Sequence, residues 1–284
     1  MSAPQSTSSE VIDAHHHLWR YSATEYDWIN DSMTALRRDF LPKDLVAELA
    51  NAGIDGAVTV QARQSLEETQ WLLELARSCN EIRGVVGWAP IAAADFEVSL
   101  HALAADPKFV GLRHVVQAEG QGFLDGIGFN RGVRAMEKFN LAYDLLIVEG
   151  QLDEAIRFVD RHPKQAFVLD HIAKPKIASG EIEPWRARIK ELSLRTNVSC
   201  KLSGLVTEDV WSRWSIESLR PYLDVVSEAF GADRLMAGSD WPVCLMATGY
   251  ARWWQVLRDY FADFSDDERA DIFGATAVRI YNLK

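Results

Sequence analysis

Eight short apolar runs, separated by amphipathic stretches, set the strongest limit on how this chain folds. They are VIDAHHH (11–17), GAVTVQ (56–61), IRGVVGWAPI (82–91), FVGLRHVVQ (109–117), AYDLLIV (142–148), AFVLDHIA (166–173), VSCKLSGL (198–205) and LMAGSDWP (235–242). Most are rich in Val, Leu or Ile, as strands buried on both faces must be. Helical patterns lie between most of them. LPKDLVAELANAG has Pro42 near its start and Gly53 at its end, the usual start and stop signals. In SLEETQWLLELARS, Ser65 and Glu68 stand at capping-box spacing. FNRGVRAMEKF, QLDEAIRFVDRHP, IEPWRARIKELS and LRPYLDVVSEAFG follow. Strands alternating with helices in this way predict an α/β fold, a (β/α)8 TIM barrel forming one domain over 11–284. The small, polar residues 1–10 read as a disordered lead-in. An open doubly wound sheet is the alternative, but no glycine-rich dinucleotide fingerprint follows any run.

Such barrels carry their active sites at the C-terminal ends of the strands. Polar residues late in the runs are therefore the candidates: His15, His17, Gln61, Arg113, His114, Asp144, His171, Lys201 and Asp240. Three of the seven histidines stand together at 15–17. Alternate residues of a strand face the same side. His15 and His17 are thus expected to point together into the barrel mouth, and His16 to face away as a structural or supporting residue. A solvated polar tract or a tag remnant would lack the apolar strand around them. Asp240 closes the last run and can ligate a metal, take a proton from water or cap a helix. His171 closes the sixth run beside Asp170. His15, His17, His171 and Asp240 together offer three nitrogens and a carboxylate, a donor set for one divalent ion such as zinc.

At these residues the sequence resembles the amidohydrolase superfamily, through Asp13, His15 and His17 in a D-x-H-x-H opening and through the late Asp240. GLRHVVQ, LDHIAKP, CKLSGL and GSDWPV are similar to the sugar-lactonase group of that superfamily, in the same order from about Val11 to Leu283. The resemblance implies that the first histidine pair binds metal where metal is present, and that Asp240 handles the protons of the hydrolytic water. Binuclear members use a carboxylated lysine after the fourth strand. Arg113 and His114 stand there in this chain, so at most one ion is expected. Some members of the group work without metal, so the resemblance leaves two readings: the histidine pair binds a cation, which can be dispensable for turnover, or it hydrogen-bonds the substrate directly.

The implied activity is hydrolysis of an aldono-1,4- or 1,5-lactone, L-fuconolactone or a similar L-sugar lactone, to the aldonic acid. The alternatives are metal-dependent decarboxylation of an aromatic acid and hydrolysis of a carboxylated lactone from aromatic degradation. Asp240 is the expected base, then acid. Without metal, protonated His171 and Arg113 are the expected oxyanion stabilisers. Arg113, His114 and Lys201 suit substrate hydroxyls or a carboxylate, or else salt bridges to Asp144 or Asp170. Gln61 and Asp144 suit sugar hydroxyls or polar layering inside the barrel. Trp19 and Trp28 suit an apolar wall for a deoxysugar methyl group, or plain packing.

A formal net charge of −11 and a pI near 5.1 argue against nucleic-acid partners, which require basic surface. No run approaches a membrane span. Cys79, Cys200 and Cys244 are odd in number, show no base partner and read as structural residues in a reducing cytoplasm.

Overall fold

The computed structural model describes residues 10–284, so the expected lead-in lies, apart from Glu10, outside the described residues. Each apolar run supplies one strand: β1 (Ile12–His16), β2 (Gly56–Val60), β3 (Ile82–Gly87), β4 (Phe109–His114), β5 (Ala142–Leu145), β6 (Phe167–Leu169), β7 (Val198–Leu202) and β8 (Leu235–Ala237). All neighbouring strands pair in parallel, in chain order. The strands are shorter than the runs: His15, Arg113, His114, Asp144 and Lys201 stay within the ladder, whereas His17, Gln61, His171 and Asp240 follow it.

The ring closes between β8 and β1 without a regular ladder. His17 N donates to Trp241 O at 2.6 Å, and Asp240 N donates to His15 O at 2.8 Å. Asp13 clasps the seam: its carboxylate accepts Ser239 N at 2.8 Å, Ser239 Oγ at 2.6 Å and Tyr250 OH at 3.0 Å. The structure thus gives Asp13 a closing role, one link removed from chemistry.

All six helices expected from the pattern form: α1 (Pro42–Ala52), α2 (Leu66–Ser78), then, after an unexpected α3 (Phe96–Ala104), α4 (Ile127–Met136), α5 (Leu152–Asp160), α6 (Trp185–Ser193) and α7 (Ile216–Phe230). The helix α8 (Tyr250–Tyr260) is a second addition, with Trp253, Trp254 and Leu257 on its buried face. Two cores result. A large outer one fills the space between strands and helices, and a small inner one fills the barrel with Ile12, Val58, Val60, Val86, Val110 and Val168 among others.

The C-terminal helical segment, 266–280, seals the end of the barrel opposite the candidate residues. It meets the chain just before β1 so closely that a Cβ on Gly274 would sit 1.8 Å from the carbonyl oxygen of Glu10. Tyr281 follows it into the inner core. Among the described residues, no helix is long and apolar enough to cross a membrane.

Candidate active site

Strand alternation delivers the first histidines as expected. His15 and His17 turn their Nε2 atoms toward one another at 3.2 Å, whereas His16 faces the opposite way and shares a hydrogen bond with Thr59 Oγ1 at 2.8 Å. His17 Nδ1 lies 2.8 Å from the carbonyl oxygen of Val60. A carbonyl only accepts, so that nitrogen carries a proton. His17 Nε2 faces Asp240 Oδ1 at 3.4 Å, and the same oxygen lies 3.8 Å from His15 Nε2.

His171 completes the group: donor atoms of His15, His171 and Asp240 lie within 4.8 Å of one another, all buried. The second nitrogen of His171, Nδ1, is held by Ser203 Oγ at 3.0 Å. Two imidazoles and a carboxylate at this spacing fit a single divalent ion, and His17 Nε2 stands against His15 and Asp240 beside them. His17 in particular, with its tautomer set by a backbone carbonyl, is prepared for one.

Two left-handed backbone segments aim these groups. Asp240 itself has φ of +57°. The residues His171, Ile172, Ala173 and Lys174 form a continuous left-handed turn with φ of 51°, 49°, 61° and 47°. Buried Trp185 braces that turn by donating its indole N–H to Ile172 O at 2.8 Å. The left-handed Gly204 (φ +69°) lies directly against the His171 ring, and a Cβ there would come within 2.5 Å of Nδ1. Gly204→Ala is therefore expected to displace His171 and to lower turnover on the order of a hundredfold, the usual effect of a 1 Å misplacement. Steady-state kinetics beside a thermal melt would check this. Normal turnover would show that His171 has no fixed place in the reaction.

Electrostatics separate the carboxylate from the imidazoles. Burial raises the pKa of Asp240, but His171, the His17 hydrogen bond and charge, and Lys174 outweigh it, so the group stays below the ordinary carboxylate value. Burial pushes His171 down to about 4 despite the charges of Asp240 and Asp170, so its ring is neutral at neutral pH. This corrects the expectation that a protonated His171 stabilises an oxyanion. Burial also holds His15 well below the ordinary imidazole value.

Beneath the histidines lies a buried ion network. Lys201 Nζ donates to Asp144 Oδ2 at 2.5 Å, and lies 3.1 Å from both Asp170 Oδ1 and His15 Nδ1. Tyr281 OH donates to Asp144 at 2.8 Å. Arg113 donates through Nη1 to Asp170 Oδ2 at 3.0 Å and through Nη2 to Gln61 O. His15, Asp144 and Asp170 also have metal-ligand spacing, but the Lys201 ammonium already sits among them.

Several sequence expectations are corrected by this burial. Lys201 and Asp144 have no exposed surface and saturate one another, so they support His15 instead of meeting substrate hydroxyls. Trp19 is equally buried, edge-on to Phe40 at 5.3 Å, and packs where a pocket wall was expected; Trp28 above it is 38% exposed. His114 turns outward, stacked on Phe123 at 4.7 Å and paired with Glu119 at 2.8 Å. Arg113 makes the expected alternative, a salt bridge to Asp170. Gln61 is buried, and its amide nitrogen and oxygen have no partner among the described residues.

Two residues at the site escaped the sequence reading. Lys174 and Glu208 form a part-exposed ion pair at 3.8 Å above Asp240 and His171. Lys174 had one available signal, its place three residues after His171. Near them, a cavity of about 620 Å³ is lined by Ser32, Asp209, Trp211 and Met246 among others, on the loops after β1, β7 and β8.

A parallel eightfold barrel with an H-x-H pair on β1, a histidine after β6 and an aspartate after β8 defines a class, and the amidohydrolase family model matches residues 12–283. The chain belongs to that family. It is 38% identical to an L-fucono-1,5-lactonase of Burkholderia multivorans, over 96% of each chain. It is 36% identical to an L-fucono-1,5-lactonase of Burkholderia ambifaria, over 96% of this chain and 95% of that one. A crystal structure of an amidohydrolase from Burkholderia multivorans with bound zinc superposes with a TM-score of 0.94, at 38% identity, covering 97% of this chain and 100% of that one.

Proposed function

We propose that this protein hydrolyses a sugar lactone, L-fucono-1,5-lactone or a close L-sugar relative, to its aldonic acid. The observation that carries this reading is a carboxylate held below its ordinary pKa beside His15 and His171, whose rings burial keeps from charging, in a chain near-fully matched by lactonases of that name. Asp240 accepts a proton from the attacking water and later returns one to the ring oxygen as the C–O bond breaks. His17, fixed by Val60 O, and His171, fixed by Ser203, hold Asp240 and the water in place. Gln61, with its unpartnered amide, and Trp28 remain candidates for contact with the sugar.

His15, His17, His171 and Asp240 would hold one divalent ion, zinc in our reading, supported by the zinc-bound relative. Such an ion supplies Lewis-acid polarisation of a carbonyl. A lactone is reactive enough that the residues alone suffice. The three free, buried cysteines support a cytoplasmic setting.

Ring opening releases a proton, whereas decarboxylation consumes one. A panel of aldonolactones with a pH indicator, run beside aromatic carboxylates, therefore tests the assignment. Failure of every lactone to exceed its blank rate would overturn it. For the metal, zinc at a hundredfold excess over its Kd is expected to stabilise the wild type by roughly 2.7 kcal/mol and the His17→Ala variant much less. Chelated wild type is expected to retain lactone turnover. Equal thermal shifts in the two proteins would remove the ion from this site.

A further inference from the structure

The left-handed turn after β6 is costly and specific. Four consecutive non-glycine residues, His171 to Lys174, adopt positive φ. Each such residue is disfavoured relative to the right-handed form, because its Cβ crowds the following carbonyl oxygen. Strain of this kind persists only where the surroundings enforce it, and it gathers at working sites. The enforcement is visible: Ile172 and Ala173 are fully buried, Trp185 holds Ile172 O, and Lys174 N closes the turn on His171 O at 2.8 Å.

The consequence is geometric. In a turn closed by an i to i+3 hydrogen bond, residues three apart lie one above the other on the same face. Lys174 therefore stands on the same face of the turn as His171.

Lactone hydrolysis is helped by a hydrogen-bond donor, most strongly a charged one, at the oxygen that gains charge. Arg113 and Lys201 do not suit: Arg113 is 4% exposed and tied to Asp170, and Lys201 is fully buried between Asp144 and Asp170. The side chain of Lys174 is 23% exposed, and its one ion-pair partner, Glu208, stands at 3.8 Å, beyond hydrogen-bond distance. Among the described residues the ammonium has no hydrogen-bond partner within 3.5 Å, so its donors can turn to a ligand.

We infer that Lys174 contacts the substrate, its ammonium placed to hydrogen-bond the lactone carbonyl oxygen as water attacks. This inference rests on the lactonase assignment. As the water oxygen bonds the carbonyl carbon, the π pair moves onto the carbonyl oxygen and the water proton passes to Asp240. Lys174 keeps its proton throughout and stabilises the charge. The same contact then holds the carboxylate of the aldonate product. The lysine charge is felt at the site, since it contributes to lowering both Asp240 and His171.

The test uses Lys174→Met, which keeps the stem and the backbone, beside Lys174→Arg. With a turned-over aldonolactone, Lys174→Met is expected to lose about a hundredfold in kcat, the low end for a removed oxyanion donor. Its zinc-induced thermal shift should match the wild type, and Lys174→Arg should recover part of the rate. Calorimetry with the matching aldonate should show weakened binding in Lys174→Met. A Lys174→Met variant with wild-type kcat and aldonate affinity overturns the inference and leaves the lactonase assignment standing. Equal losses in both variants, with a fall in melting temperature, would reduce Lys174 to a structural role and also overturn it. A wild type inactive on every lactone overturns the assignment itself, and the inference with it.

Discussion

Asp240→Asn is expected to lower lactone turnover at least about a hundredfold, the low end of a general acid–base contribution. The substitution keeps the shape and the left-handed position of the side chain, which asparagine tolerates well. It removes the negative charge that faces His15 and His17 at 3.8 and 3.4 Å. An amide cannot accept the proton of water, so the loss should fall on kcat, with KM little changed. Structure and melting temperature should stay near the wild type, because Asp240 N still donates to His15 O at 2.8 Å. A variant with near-normal kcat would remove Asp240 from the chemistry.

Lys201→Met is expected to destabilise the fold by about 3–5 kcal/mol, the usual cost of breaking a buried ion pair from one side. The lysine is the shared partner of Asp144 and Asp170, both without exposed surface. Removing it leaves two buried carboxylates side by side, one on β5 and one just after the neighbouring β6, with Arg113, His15 and Tyr281 as the remaining partners. Denaturant unfolding would measure the loss. The double variant Lys201→Met, Asp144→Asn should recover part of it, because one of the stranded charges is removed as well. A single variant within about 1 kcal/mol of the wild type would mean that the network contributes little to stability.

The division between what could be read in the sequence and what could not follows from the physics of each residue. The strand period of two separates His15 and His17 from His16 without any knowledge of the fold, and that separation holds. The alternation of apolar runs and helices leads to the barrel, and the barrel leads to the strand ends where His171 and Asp240 stand. Depth within the barrel is not encoded by residue type. Lys201 and Asp144 carry the same chemistry whether they meet a ligand or each other, and only the packing shows that they meet each other. Trp19 illustrates the same point for an aromatic residue, buried against Phe40. Lys174 depends on a left-handed turn of ordinary residues, for which the sequence carries no propensity signal. The helix α3 and the C-terminal seal were missed because their segments are short or lie outside the alternating pattern.

The seam at which β8 meets β1 has a consequence for how activity arises during folding. The histidine pair comes from the beginning of the chain and the aspartate from near its end, and Asp13 and Ser239 join the two. A partly folded intermediate with the ring open holds every strand of the scaffold but no working centre. Catalysis therefore switches on with ring closure, as an all-or-none property of the finished barrel. In refolding experiments, recovery of turnover should lag behind recovery of helical signal and coincide with the final ordering of the termini.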